Sequence, residues 1–390
     1  MDMLLLTYTV FTYIVKSIVN FITREVEVKM DKKLRVGIIG CGGIANGKHM
    51  PSLKGIEEVE MVAFCDIIEE KAVAAAEKFG TEDAKVYTDY KELLKDETIE
   101  VVHVCTPNRS HSFITVDSLE AGKHVMCEKP MAKTYAEAKA MLEAAQRTGK
   151  KLSIGYQNRC TPANQYLKKC CDNGDLGEVY FAKAHALRRR AVPTWGVFLN
   201  EFEQGGGPLI DIGTHALDLT LWMMNNYKPK MVVGTTYQKL GKQEGTANAW
   251  GDWDPEKFTV EDSAFGFVVM ENGATIVLES SWALNIRDAQ EAATTLCGDK
   301  GGADTLDGEV RLNYVKNNRQ VIETADLGAG GVAFYEGKKM GASELDARLW
   351  IDAVLNDTEV NTKPEQALVV TQILEAIYES AKTGKPVYID

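Results

Sequence analysis

Arg35-Val36-Gly37-Ile38-Ile39-Gly40-Cys41-Gly42-Gly43-Ile44-Ala45 sets the architecture of the first half of the chain. An apolar run of strand character opens into the spacing GxGxxA, and a short helical segment follows. Each position has its own task. Gly40 permits the tight turn, Gly42 lets the backbone approach a pyrophosphate, and Ala45 lets the helix sit close to the sheet. Gly43 and Ile44 complete the turn, and the helix amino terminus presents partial positive charge to phosphates. A glycine turn with no ligand is the competing reading, but strand, turn and helix in this order favour a dinucleotide site.

Working outward, short apolar runs end at Ile39, Phe64, Cys105 and Cys127 with helix-period segments between them, the grammar of a parallel α/β sheet. Ligands of such sheets bind beyond the carboxyl ends of the strands, where Gly40, Asp66, Thr106 and Lys129 fall. Asp66 ends the run Glu60 to Cys65. A carboxylate there accepts bonds from both adenosine ribose hydroxyls and repels a 2′-phosphate, and Ile67 and Ile68 supply no cation, so NAD is favoured over NADP. A solvent-facing strand-end Asp is the alternative. Thr134 and Glu137 have capping-box spacing, which predicts a helix to Thr148 closing at Gly149, and Leu152 to Ile154 returns to the sheet.

This gives a dinucleotide-binding domain over 31–155 and a second domain over 156–390. The second has longer alternating runs, Glu178 to Ala186, Phe265 to Met270 and Thr275 to Ser281, with few helices between, as in a largely antiparallel α+β domain. Thr362 and Glu365 repeat the capping-box spacing and predict a last helix to about Thr383. Gly241 to Lys257, rich in Gly, Trp and Asp, reads as a surface loop or subunit contact.

Composition narrows the partners. The 390 residues are 45% apolar, enough for about two domains with cores. A net charge of -12 argues against a nucleic acid and for a small-molecule partner. The cysteines at 41, 65, 105, 127, 160, 170, 171 and 297 show no CxxC spacing and read as reduced cytoplasmic thiols. An apolar stretch from Met3 to Phe21 is interrupted by Lys16, Ser17 and Asn20, and with Asp2 ahead and Arg24 behind it fits neither a signal peptide nor a membrane span. Residues 1–30 are therefore read as an extension: an upstream translational start before Met30, a docking helix, or a membrane-surface helix.

Two motifs carry chemistry. Glu128-Lys129-Pro130 follows the apolar run His124 to Cys127, so Lys129 stands at the strand end where a nicotinamide would lie and an amine could move a proton. Read alone, it is a surface lysine ahead of a turn proline. Asp211 and His215 stand at i and i+4, followed by Asp218, so one helical face presents an imidazole with a carboxylate one turn earlier to orient it. A divalent-metal site and a helix bonding to its own side chains are the competing readings. Tyr156-Gln157-Asn158-Arg159 and Trp195 would line the cleft between the domains, with Trp195 either offering an apolar face to sugar C–H groups or packing. Arg188-Arg189-Arg190 reads as a solvated edge or subunit contact, and His103 and His185 as core or edge residues.

With the glycine fingerprint, Cys105-Thr106-Pro107-Asn108, Glu128-Lys129-Pro130 and Asp211-Ile212-Gly213-Thr214-His215 in this order, the chain resembles the glucose-fructose oxidoreductase/inositol dehydrogenase/MocA family from Leu34 to its end. After about Tyr237 only the general domain pattern matches. The resemblance implies an NAD-binding Rossmann domain joined to an α+β domain with a large open, mostly antiparallel sheet, in a dimer or tetramer. It implies Lys129 and His215 as an acid/base pair with Asp211 as their partner, a cis Lys129–Pro130 bond, and cofactor contacts from Thr106, Pro107, Asn108, His111, Glu128 and Asn158; no metal is expected, because no further His or Cys pattern joins Asp211, His215 and Asp218. The implied activity is oxidation of a ring secondary alcohol of a sugar, glycoside or cyclitol. Pro193-Thr194-Trp195-Gly196 and the glycines before Asp211 most resemble glucoside dehydrogenases that oxidise carbon 3. Glycoside cleavage through transient oxidation and a non-catalytic cofactor sensor are the alternatives, and intact Lys129, Asp211 and His215 argue against the sensor.

Overall fold

The computed structural model describes residues 33–245, 247–327 and 340–389, so the extension read over 1–30 lies outside the described residues. The first sheet contains β1 (Leu34–Ile39), β2 (Val59–Cys65), β3 (Lys85–Tyr87), β4 (Val101–Val104), β5 (His124–Cys127) and β6 (Leu152–Ile154), all parallel, in the order β3-β2-β1-β4-β5-β6. The chain reverses direction across the sheet between β1 and β4, which opens a crevice at their carboxyl ends. β1 and β4 are buried nearly throughout, as strands covered by helices on both faces must be. Gly40 has φ +91°, and a Cβ there would stand 2.7 Å from the Cys105 carbonyl, so both backbone sign and space demand glycine. The helix Tyr135–Thr148 forms its Thr134/Glu137 capping box and ends at left-handed Gly149.

The second sheet has nine strands: β7 (Val179–Leu187), β8 (Pro229–Tyr237), β9 (Ser263–Met270), β10 (Thr275–Ser281), β11 (Gln290–Gly298), β12 (Gly301–Asp304), β13 (Arg311–Lys316), β14 (Arg319–Thr324) and β15 (Val387–Tyr388). Their order is β14-β13-β12-β11-β7-β10-β9-β8-β15. All neighbours are antiparallel except β7 and β10. Period-two burial leaves one face on the helices Thr214–Met224 and Pro364–Thr383.

Three expectations change. Helices are more frequent in this half than the sequence suggests: Pro162–Asp172, Thr214–Met224 and Ala342–Leu355 join the last one. The helix Thr214–Met224 is buried almost all round, which erases the amphipathic signal. The last helix starts at Pro364 with Lys363 as its N-cap, so the Thr362/Glu365 box does not form; proline in the first turn presets φ instead. The helix Ala342–Leu355 returns to the first half, where Ala347, Trp350 and Ile351 share a core with Val36, Ile38, Met50 and Leu53. Among the described residues no helix is long and apolar enough to cross a membrane.

Candidate active site

The glycine turn opens onto the crevice. A Cβ at Gly42 or Gly43 would meet nothing within 4 Å, so this backbone face is free for close approach, and Ile44 is exposed beside it. Asn46 Nδ2 donates to the Cys41 and Gly42 carbonyls at 2.8 and 3.1 Å, fixing the turn from behind. Asp66 has a second task that sequence alone missed: its Oδ2 accepts from the Cys41 amide at 2.9 Å, and its Oδ1 from the Ile68 amide at 2.9 Å. The carboxylate thus ties the second strand end to the fingerprint. Thr106 keeps a buried hydroxyl with no partner among the described residues, Pro107 is exposed, and Asn108 Nδ2 donates 3.0 Å across to the Gln204 carbonyl of the other half. Open glycine amides, a strand-end carboxylate and an unpartnered hydroxyl along one crevice fit a bound dinucleotide.

Glu128 and Lys129 are held separately. Glu128 Oε1 accepts from Lys48 and lies against His49 Nε2, each at 2.7 Å, while its Oε2 accepts from the Lys129 amide at 3.0 Å. Burial opposes its charge, but Lys48 and His49 outweigh burial and hold the carboxyl well below the usual carboxylate range. His49 and His103 face each other through Nδ1 atoms 2.9 Å apart, and Lys48 also reaches Gln157 Oε1 at 3.1 Å. The expected cofactor contact by Glu128 is corrected accordingly: both oxygens are engaged by protein, and the side chain is buried. His111 is corrected likewise, since it is buried with its ring nitrogens 2.8 Å from the Pro130 and Thr106 carbonyls, bracing the two loops from beneath. Asn158 is half-buried, and its carbonyl accepts from Asn164 Nδ2 at 2.7 Å.

Lys129, ahead of a cis bond to Pro130, crosses to the second half. Its Nζ donates to the Asp211 carbonyl at 2.9 Å and to Asp211 Oδ1 at 3.0 Å, and Trp282 Nε1 donates to Asp211 Oδ2 at 2.9 Å. Burial opposes ionisation of Asp211, but Lys129 and then Arg188 hold its carboxyl below the ordinary value. His215 lies edge-on to Tyr156, ring centroids 5.9 Å apart, and Tyr156 is fixed by a 2.6 Å bond to Thr214 Oγ1. Burial, and then the positive charge of Lys129, push His215 down to about 3, so the imidazole is neutral at pH 7. Its buried Nδ1 has no hydrogen-bond partner among the described residues.

The expected orientation of His215 by Asp211 is corrected. Residues Leu209–Gly213 form a π-turn, and the wider turn rotates Asp211 out of the i, i+4 alignment of an α-helix. The carboxylate meets Lys129 instead. Asp218 turns away altogether: Arg159 grips it through Nε–Oδ2 at 2.9 Å and Nη2–Oδ1 at 2.5 Å. Among the described residues no cluster of three His, Cys, Asp or Glu side chains stands ready for a metal. The same pair removes Arg159 from the substrate contacts, because its guanidinium is fully buried against Asp218, Gln366 and the Trp222 ring.

Trp195 is half-exposed and stands 5.0 Å from the ring of Trp250, which lies in the stretch read as a surface loop or subunit contact. Arg188, read as part of a solvated edge or subunit contact, is largely buried, paired with Glu291 and close enough to act on Asp211. Glu261 was also missed: it accepts from the Gly207 and Leu209 amides at 2.8 and 3.1 Å and from the Tyr378 hydroxyl at 2.9 Å, capping the segment that carries Asp211. Lys48 had a signal, a lysine and a histidine one turn after the fingerprint. Trp282 and Glu261 had none, being single residues at strand ends.

Residues 34–156 match the family model described as an oxidoreductase family with an NAD-binding Rossmann fold, and residues 168–389 match the family's C-terminal alpha/beta domain. The chain is 38% identical over 356 residues to D-glucoside 3-dehydrogenase of Escherichia coli K12, covering 90% of this chain and 96% of that enzyme. It is 34% identical over 197 residues to inositol 2-dehydrogenase of Salmonella typhimurium, covering 50% and 56% respectively. Levoglucosan dehydrogenase in complex with NADH and L-sorbose superposes with a TM-score of 0.77 at 22% identity, covering 92% of this chain and 99% of that one, a likeness of fold. The chain belongs to the glucose-fructose oxidoreductase/inositol dehydrogenase/MocA family of NAD-binding oxidoreductases.

Proposed function

We propose that the chain is an NAD-dependent dehydrogenase that oxidises a ring secondary alcohol of a sugar, glycoside or cyclitol, and that carbon 3 of a D-glucoside is the position attacked. The observation that carries the reading is the meeting of Lys129 from one half with Asp211 from the other, at 2.9 and 3.0 Å, beside neutral His215. Gly40, Gly42, Gly43 and Ile44 would hold the pyrophosphate, Asp66 the adenosine ribose, and Thr106, Pro107, Asn108 and Asn158 the other half of the cofactor. Bound NAD supplies the acceptor for the hydride of the carbinol carbon.

The residues manage the hydroxyl and its proton. Two of the three positions on Lys129 Nζ are committed to Asp211 acceptors, so the third is the one that exchanges a proton with the substrate. Asp211 is itself fixed through Trp282, which keeps the amine from following the substrate as the alcohol becomes a ketone. His215 enters as a neutral imidazole beside this pair, where its ring would hydrogen-bond the substrate and orient it. The cysteines are all unpaired, which supports a cytoplasmic setting. Val233, Phe267, Val315 and Ile322 stand exposed on the sheet face opposite the helices, which supports a homo-oligomer.

The test is a panel of methyl glycosides, free aldoses and inositols with NAD and with NADP, read at the reduced-nicotinamide absorbance and by product analysis. NADH formed with a 3-keto product is expected. Silence across the panel would end the reading, and released aglycone without net NADH would replace it with glycoside cleavage.

A further inference from the structure

We propose that Trp195 and Trp250 form a second subsite beside Lys129, Asp211 and His215, which takes the group joined to the oxidised sugar through its glycosidic oxygen and recognises it by a flat apolar face. The inference rests on the dehydrogenase reading and deepens it. The two indoles come from segments far apart in sequence and meet as a corner, with centroids 5.0 Å apart and planes at 73°. They remain 52% and 44% exposed. A tryptophan offers ~150–250 Å² of apolar surface, so two half-open indoles side by side are unfavourable in water unless something covers them.

The corner is built, not incidental. Asn248 Oδ1 accepts from the Val192 amide at 2.8 Å, and its Nδ2 donates to the Val192 and Gly251 carbonyls at 3.0 and 2.8 Å. Thr194 Oγ1 donates to the Trp250 carbonyl at 2.7 Å, and the Ala249 amide donates to the Arg190 carbonyl at 3.0 Å. One loop is therefore stapled to the other on both sides of Trp250. The base of the 241–257 loop is anchored as well, because Asp262 Oδ2 accepts from the Leu240 and Gly241 amides at 2.6 and 2.8 Å. Fixing a loop in this way costs backbone entropy, and its visible result is the placement of a half-exposed indole.

Two routes join the corner to the proton-handling residues. Arg188, held by Glu291 at 2.6 and 2.5 Å, stacks its guanidinium 5.2 Å from the Trp250 centroid, and its charge is felt by Asp211. On the other side Trp195 meets Phe198 at 6.0 Å, Phe198 meets Trp282 at 6.5 Å, and Trp282 donates to Asp211. Two rings separate Trp195 from Asp211 along this route. A pyranose with its hydroxyl at Lys129 thus leaves the corner to whatever its anomeric oxygen carries. An aryl aglycone and a second pyranose share the required chemistry, a flat face of C–H or π character.

The experiment uses the full-length protein loaded with NAD and measures binding by calorimetry for methyl glucoside, nitrophenyl glucoside of the same anomer, and cellobiose, with turnover read separately. The wild type is expected to bind at least one of the two larger probes about 10-fold more tightly than methyl glucoside. Trp250→Ala should abolish that advantage while leaving methyl glucoside binding unchanged, Trp195→Ala should independently abolish it, and Trp250→Phe should keep most of it. Which larger probe shows the advantage identifies the source. Equal binding of all three by the wild type, or an advantage that survives both alanine variants, overturns the subsite. Discrimination in binding without NADH from any probe would support the subsite and sink the dehydrogenase reading alone.

Discussion

Two π-turns, Ala45–His49 in the first half and Leu209–Gly213 in the second, each follow a glycine-rich approach, and their side chains hold two consecutive residues, Glu128 and Lys129. The first sends Lys48 and His49 onto Glu128; the second sends Asp211 onto Lys129. The difference lies in water. The side chains of Lys48 and Glu128 are 9% and 5% exposed, those of Lys129 and Asp211 18% and 13%. A closed ion pair fixes position and cannot trade its proton with a ligand, whereas the more open pair can. The chain thus uses one member of the dipeptide as a peg and the other as the working group.

Loss of the working group should cost the enzyme most. Lys129→Met should lower kcat by ~100- to 10,000-fold, and His215→Ala by at least ~100-fold, with NAD affinity by calorimetry unchanged. Turnover that persists in either variant removes that residue from the chemistry. At the peg the consequence should be structural: Glu128→Ala leaves Lys48 buried without its carboxylate partner, at about 3 kcal/mol of stability. Thermal unfolding measures it. Asp211→Asn, by contrast, should keep most of the melting temperature and lose turnover. If Glu128→Ala melts like the wild type and only slows the reaction, the division between peg and working group is wrong.

These two sites also differ in how much of them could be read in advance. The parallel sheet announced itself through Gly40, whose φ and crowding against Cys105 leave one residue type, and through apolar runs that are buried on both faces. Lys129 and His215 were legible because each stands next to a local signal, a strand end or an i, i+4 pair. What failed was orientation. Arg159 and Asp218 face each other instead of the cleft because two complementary charges buried together satisfy one another, a long-range fact that spacing does not encode. The pairing of Asp211 with Lys129 depends on one π-turn, and the helix Ala342–Leu355 crosses to the first core without any local cue. Trp250 was hidden for the same reason, its partner lying in another loop.

A smaller effect sharpens the second half of the comparison. Burial pushes Glu261 up to about 7, against 4.5 in an unfolded chain, despite three donors aimed at it. Between those values the folded protein keeps a proton that the unfolded chain has released. The stabilisation is therefore complete below pH 4.5 and is lost as pH rises through 7, by about 3 kcal/mol in all. Melting temperature against pH, compared with Glu261→Gln, should show the wild type falling across this window while the variant stays flatter. Parallel curves would mean the cap on the Asp211 segment is not the group that titrates.

The smallest effect tests the first half, where Asp66 carries two loads at once. One oxygen braces the Cys41 amide of the fingerprint, and the carboxylate as a whole is the charge proposed to meet the ribose and exclude a phosphate. Asp66→Asn keeps an acceptor for Cys41 and removes the charge. Its one oxygen can serve only one of the Cys41 and Ile68 amides, so melting temperature should fall a little, while discrimination of NAD over NADP, read as the ratio of kcat/KM values, should fall by about 10-fold. Asp66→Ala removes both loads and should lose melting temperature as well. If the asparagine variant retains full discrimination, the preference resides in the shape of the crevice beside Ile67 and Ile68, and the carboxylate belongs to the fold alone.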